Sequence, residues 1–149
     1  VAASIEAAPR APGRWALSMM PAPSDGPGAH LSAEPIARTL DRVDAEAEGG
    51  LASAWAIGVN CGAAPDLARE VAFLRARLPD TLPVMAYANV GRRSPDGTWT
   101  QTDAANPRRY ASYAMEWLDA GASVIGGCCG AAPETIAAVR SRLDAREMR

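Results

Sequence analysis

Three cysteines carry the chemistry that this sequence could perform. Cys128 and Cys129 are adjacent within the run VIGGCCG, and Cys61 follows the apolar run AWAIGVN. In both places glycine follows the cysteine, which predicts a buried strand with the cysteines at its C-terminal end. Adjacent cysteines have Cα atoms only about 3.8 Å apart, which suits two thiolates on one soft metal ion better than a mutual disulfide. Buried packing thiols are the alternative, which the similar placement of all three cysteines disfavours.

Other reactive residue types are scarce, and this narrows the chemistry. The chain contains no lysine, which excludes a Schiff-base aldolase and a phosphate-binding P-loop. His30 is the only histidine and lies in a proline- and glycine-rich segment, where we expect a solvated loop. A catalytic triad needs a histidine near its nucleophile, and a histidine metal cluster needs several. Any metal would therefore be held mainly by cysteine.

Composition excludes several classes of protein. A hydrophobic content of 48% in 149 residues predicts one globular domain with a core. The net charge of −2 gives no electrostatic case for binding nucleic acid or an anionic membrane. No apolar run approaches the ~20 residues of a membrane span, and the first residues lack the features of a signal peptide. Because free cysteines suit a reducing compartment, we expect a cytoplasmic protein.

The apolar pattern predicts alternating strands and helices. The predicted strands lie near residues 15–20, 54–60, 83–88 and 122–127, and the helices begin near Ser32, Pro65, Pro107 and Pro133. This alternation predicts parallel strands with right-handed crossovers. On the last helix we expect Ile136, Val139 and Leu143 to face inward, and we expect residues 89–106 to form a long loop. A closed (β/α)8 barrel needs eight such units, and this chain supplies four.

Four short segments resemble one known family. GVNC at residues 58–61 and GGCCG at residues 126–130 resemble the two zinc-binding signatures of the homocysteine S-methyltransferase family. Between them, YANVG at residues 87–91 resembles the turn after that family's seventh strand, and EWLDAGA at residues 116–122 resembles the helix before its last strand. The resemblance covers nearly the whole chain from about Trp15 onward.

The resemblance implies a TIM-barrel type α/β fold of which this chain supplies strands 5–8 with their helices. Residues 1–149 would then form a single domain that is the C-terminal half of a homocysteine-binding barrel. Val1–Ala8 is typical of the end of a helix whose start is missing, and the chain does not begin with methionine. We therefore expect a sequence that is incomplete at its N-terminus. A missing N-terminal half barrel or a second copy of the chain would cover the open strand edges.

The implied activity is methyl transfer to homocysteine, giving methionine, with Zn²⁺ held by Cys61, Cys128 and Cys129. Three thiolates leave one tetrahedral position of zinc open, and a substrate thiol bound there becomes a thiolate that attacks an activated methyl group. Asn60 and Asn89 also stand at strand ends and are candidate substrate-binding residues. The alternatives for these two asparagines are orientation of the cysteine loops and capping of turns.

Several alternatives remain open at this point. The methyl donor is a betaine, an S-methylated amino acid or a methylated folate. A non-catalytic metal-binding or assembly fragment is an alternative function. A phosphate-binding TIM-barrel enzyme is another, because loops after the seventh and eighth strands often hold phosphate. Two cysteines inside the glycine turn and the absence of lysine argue against that last function.

Overall fold

The structure, a computed structural model, describes residues 15–20, 33–47, 49–94 and 96–148. Three sequence predictions fall on residues outside these ranges. They are the helix end at Val1–Ala8, the loop position of His30 and the helix start at Ser32.

The described chain is a parallel sheet with helices packed against it. The strands are β1 (Trp15–Met19), β2 (Ala54–Ala63), β3 (Val84–Asn89), β4 (Gly91–Arg93), β5 (Trp99–Gln101) and β6 (Val124–Gly127). The helices are α1 (Ala33–Glu46), α2 (Leu67–Arg75), α3 (Pro107–Asp119) and α4 (Pro133–Glu147). The main sheet has the order β1-β2-β3-β6 with every neighbouring pair parallel, which confirms the α/β fold. Within the described ranges, no helix is both long and apolar enough to cross a lipid bilayer.

The core forms where apolar stripes of the helices meet one face of the sheet. Ile57 and Val59 of β2 are fully buried in the same cluster as Leu67, Val71 and Leu74 of α2. The spacing of the three α2 residues puts them on one side of the helix. This packing fixes the strands whose ends carry the cysteines.

Fewer apolar side chains of the last helix, α4, are buried than the sequence predicts. Val139 is buried and Leu143 packs against the core, but Ile136 was wrongly expected to face inward and is 44% exposed. The cause is position, because β6 is an edge strand of the described sheet and α4 packs mainly against α3. The first turn of α4 therefore has little sheet to cover.

The predicted loop at residues 89–106 is also corrected by the structure. It contains an antiparallel hairpin in which β4 pairs with β5, from Gly91 opposite Gln101 to Arg93 opposite Trp99. Thr102 closes the hairpin, because its backbone N–H and its hydroxyl both donate to the carbonyl of Val90, at 3.1 and 3.0 Å. The hairpin strands have only three residues each, too few to show an alternating pattern.

Two aromatic side chains of α3 fasten this helix to the ends of the strands. Tyr110 and Trp117 are fully buried and meet edge to face, with ring centroids 5.3 Å apart. The Tyr110 hydroxyl lies 3.0 Å from the carbonyl oxygen of Ala88 and 2.9 Å from that of Gly126, and the Trp117 indole N–H donates to the carbonyl of Ala64 at 3.1 Å. Burial raises the pKa of Tyr110, so the hydroxyl stays protonated and remains a donor. The helix thereby holds the carboxyl ends of β3 and β6 together.

We expect Tyr110→Phe to lower the free energy of unfolding by about 1 kcal/mol, because it removes a buried hydrogen-bond donor. Tyr113→Phe on the same helix is the matched control, since the Tyr113 hydroxyl donates to the exposed carboxylate of Asp103. That control should change stability by less than about 0.5 kcal/mol. Urea unfolding of both variants measures the difference, and equal midpoints would contradict the role given to Tyr110.

Candidate metal centre

Cys61 lies at a bulge in β2 rather than after the end of the strand. β2 pairs with β3 through Asn60 opposite Tyr87 and Gly62 opposite Ala88, which leaves Cys61 without a partner in the ladder. Its φ of 60° is in the left-handed region, which is uncommon for a residue with a side chain. A bulge re-aims the side chain of the extra residue. Here it directs the Cys61 thiol toward the loop that follows β6.

That loop is held to the end of β3 by its own backbone. The N–H of Cys128 donates to the carbonyl of Ala88 at 2.8 Å, and the carbonyl of Cys129 accepts from the N–H of Val90 at 3.1 Å. Gly130 then turns the chain with a φ of 78°, a conformation that glycine adopts without strain. The loop therefore has a defined position relative to the bulge in β2.

The three sulfurs meet at this edge of the sheet, as the sequence predicts. The Cys61 Sγ is 2.9 Å from that of Cys128 and 3.8 Å from that of Cys129, and all three atoms lie within 4.8 Å of one another. Zinc–sulfur bonds of about 2.3 Å in a tetrahedron separate the sulfurs by about 3.8 Å, so the shorter contact would open by about 1 Å on metal binding. Cys61 and Cys128 are half-buried and Cys129 is exposed, which leaves one side of the cluster open. The role of these residues as metal ligands stays a prediction.

The contact between two of the thiols separates their pKa values. The hydrogen bond with Cys128, followed by burial, raises the pKa of Cys61 to about 12. Burial opposes ionisation of Cys128, but hydrogen bonds from the Cys61 thiol and from the backbone N–H of Cys129 outweigh it and lower the Cys128 pKa. The first proton of the pair therefore leaves Cys128, and Cys61 retains the second. A metal must displace that second proton, so metal affinity should rise with pH.

The two predicted asparagines both lie at this edge but in different surroundings. Asn60 accepts a hydrogen bond at its Oδ1 from the hydroxyl of Ser18 at 2.9 Å, on the exposed part of the sheet. Asn89 is buried, donates from Nδ2 to the carbonyl of Cys61 at 2.7 Å and accepts at Oδ1 from the N–H of Cys129 at 2.9 Å. Substrate binding by either residue stays a prediction.

An aromatic residue that the sequence motifs do not mark borders the cysteine loop. Trp99 of the hairpin is 40% exposed and rests on Gly91, where a Cβ would lie 2.5 Å from the ring. Its Cζ2 would lie 3.9 Å from a Cβ built on Gly130, the residue after the adjacent cysteines. The turn dipeptide Asp96-Gly97 was the signal that could have predicted this hairpin.

We expect the metal-free protein to show two separated thiol ionisations. One thiolate should form below the usual pH range of a cysteine, and another only near pH 12. Cys61→Ala should move the first ionisation to higher pH, because it removes the thiol that stabilises the Cys128 thiolate. The pH dependence of alkylation at each cysteine, followed by mass spectrometry, measures both, because the thiolate is the form that reacts. Three ionisations at the same ordinary pH would contradict the proton-sharing pair.

Known proteins are similar to this chain in sequence. The profile of the family described as homocysteine S-methyltransferase matches residues 2–143. The selenocysteine Se-methyltransferase of Brassica oleracea var. italica is 34% identical over 93 residues, covering 61% of this chain and 26% of that protein. Homocysteine S-methyltransferase 2 of Arabidopsis thaliana is 32% identical over 90 residues, covering 59% of this chain and 26% of the relative.

A solved structure shares the fold. The metallated form of the homocysteine methyltransferase MmuM from Escherichia coli superimposes with a TM-score of 0.57 and 27% identity, covering 95% of this chain and 39% of that one. The chain thus spans roughly a quarter of the length of the curated relatives it matches, and about two fifths of the solved structure.

Proposed function

Because the chain belongs to the homocysteine S-methyltransferase family, we propose that it supplies the thiol-activating part of a zinc-dependent methyl transfer to homocysteine, with methionine as the product. The observation that carries this proposal is the meeting of three thiols from the bulge in β2 and the loop after β6. Soft sulfur donors at this spacing suit zinc, and three of them leave the fourth tetrahedral position for a substrate sulfur.

The cysteine cluster is accessible on the side where the substrate sulfur would bind. The exposed side of the cluster, at Cys129, gives a fourth sulfur a path of approach. When bound, zinc supplies a Lewis acid that lowers the pKa of the substrate thiol. This chemistry needs no histidine as a general base, which agrees with a sequence that contains a single histidine.

The proposed reaction balances without an oxidant or a reductant. The thiol of homocysteine releases its proton to solvent, and a lone pair of its sulfur forms the new S–CH₃ bond. The bond between the methyl group and its donor breaks, and that electron pair leaves with the donor. Holding sulfur, methyl and leaving group in line is worth up to ~7–11 kcal/mol in ideal cases. Asn60, whose Oδ1 already accepts from Ser18, is the proposed contact for a polar group of the substrate.

We place the four parallel strands as strands 5–8 of a (β/α)8 barrel and residues 1–149 as the C-terminal half of that domain. β1 and β6 each have one neighbour in the described sheet, which supports a missing N-terminal half barrel as partner, with a second copy as the alternative. The same open edges favour a second candidate function, a non-catalytic metal-binding or assembly fragment. A reducing cytoplasm is the proposed compartment, because it keeps the three thiols free.

We expect the purified chain to bind about one zinc ion, and Cys61→Ser, Cys128→Ser and Cys129→Ser each to weaken that binding strongly, because each removes a thiolate ligand. Ser112→Ala is a control, since its exposed hydroxyl lies on α3 and donates to the carbonyl of Arg108. Elemental analysis after dialysis measures the occupancy. Full zinc occupancy in Cys128→Ser would contradict the metal site.

We expect the 149-residue chain alone to be a poor methyltransferase and a longer protein with four further βα units to be competent. The reason is that the open sheet lacks the wall needed to bury the substrate and hold the methyl donor in line. Methionine formation from homocysteine with each candidate donor measures both proteins, and Cys128→Ser in the longer protein is the control. Equal turnover by the monomeric short chain would contradict the half barrel. No turnover by either protein would favour the non-catalytic fragment.

A further inference from the structure

Asn89 joins the backbones of two different cysteines. It is the last residue of β3 and is only 6% exposed. Its amide nitrogen donates to the carbonyl of Cys61 at 2.7 Å, and its carbonyl oxygen accepts from the N–H of Cys129 at 2.9 Å. Both polar atoms of this side chain are thus used on the two segments that carry the thiols.

The carbonyl of Cys61 and the N–H of Cys129 both lie outside the regular hydrogen-bond ladder of the sheet. Cys61 is the extra residue of the β2 bulge, and the ladder between β2 and β3 passes over it. Its left-handed φ is a conformation that persists only when surrounding contacts hold it. The N–H of Cys129 lies in the turn beyond the end of β6. One side chain satisfies both groups.

Asn89 is itself well fixed. The preceding carbonyl, that of Ala88, accepts from the N–H of Cys128 and from the buried hydroxyl of Tyr110. The end of β3 is therefore a firm support from which the amide reaches both cysteine segments.

We propose that Asn89 is a positioning residue that holds the Cys61 bulge and the Cys128–Cys129 loop at a fixed separation before any metal binds. This deepens the proposed function and rests on it only for the identity of the metal. Preassembly matters because ordering the ligands during binding would cost affinity. The role needs a donor and an acceptor on one short side chain. Aspartate lacks the donor, and alanine lacks both groups.

The strand-end asparagine on β2 does not have this role. Asn60 bonds to the hydroxyl of Ser18 and lies on the exposed part of the sheet. Sequence alone treats the two asparagines alike, and only the contacts separate them.

The test uses arsenite as a probe of three preassembled thiols in the metal-free 149-residue chain. Arsenous acid forms three As–S bonds, and its three hydroxyl groups leave as water with the thiol protons, so nothing is oxidised or reduced. We expect Asn89→Ala to weaken arsenite binding at least tenfold, and to weaken zinc binding, measured against a chelating indicator, by a similar factor. The readout requires neither homocysteine nor a methyl donor. A chain that shows the effect but transfers no methyl group would therefore overturn only the proposed function.

The matched control is Asn106→Ala. The Asn106 side chain caps α3 by accepting from the backbone N–H groups of Arg108 and Arg109, at 2.9 and 3.4 Å. Its loss also removes two hydrogen bonds from an asparagine and lowers stability. The Asn106→Ala variant should bind arsenite with an affinity within twofold of that of the parent. A general loss of stability would weaken both variants alike, and that result would overturn the proposal.

Two further measurements keep the proposal falsifiable if Asn89→Ala fails to fold. Asn89→Asp keeps the shape and the acceptor for the Cys129 N–H but sets an oxygen against the carbonyl of Cys61, so it should also weaken arsenite binding at least tenfold. In the metal-free parent, the Cys129 amide proton should exchange with solvent slowly, because Asn89 accepts it. Arsenite affinity within twofold of the parent in either folded Asn89 variant, or exchange of that proton at the rate of an exposed amide, would overturn the proposal.

Discussion

The parallel register of β2, β3 and β6 is the constraint on which the rest of this structure depends. Carboxyl ends of parallel strands meet at one edge of a sheet, which brings together residues that are far apart in sequence. Cys61 and Cys128 are separated by 67 positions, yet their sulfurs lie 2.9 Å apart. A slip of one residue between strands would turn each side chain to the other face and disperse the thiols. The apolar core that sets this register therefore also sets the geometry of the site.

The hydrogen bonds that join the two cysteine segments to the sheet lead back to the end of β3. Ala88 contributes a carbonyl that accepts from both Cys128 and Tyr110, and Asn89 contributes an amide bonded to Cys61 and Cys129. β3 also has a strand neighbour on both sides and helices packed on its core residues. The reactive side chains thus lie on the flanking segments, and a central strand of the sheet holds these segments in place.

Much of the fold and of the cysteine site could be predicted, because both depend on local patterns. The strands that end in glycine, the helices that begin at proline and the cysteines at strand ends are all visible in short windows of sequence. The extension of β2 to Ala63 was not visible, since nothing in the residue types marks Cys61 for a left-handed bulge. The inward placement of Ile136 failed for another reason. Amphipathic spacing shows which residues share a face of a helix, but not whether a neighbour covers that face.

The left-handed backbone conformation of Cys61 lowers the stability of the fold, and the residue that would relieve this cost has no thiol. Glycine adopts this conformation freely, whereas a residue with a Cβ costs about 1–2 kcal/mol. Cys61→Gly would therefore relax the backbone while deleting a sulfur from the cluster. A sequence optimised only for folding would drift toward glycine here and lose the site. Cysteine at this position therefore keeps a thiol in the cluster at a cost in backbone energy.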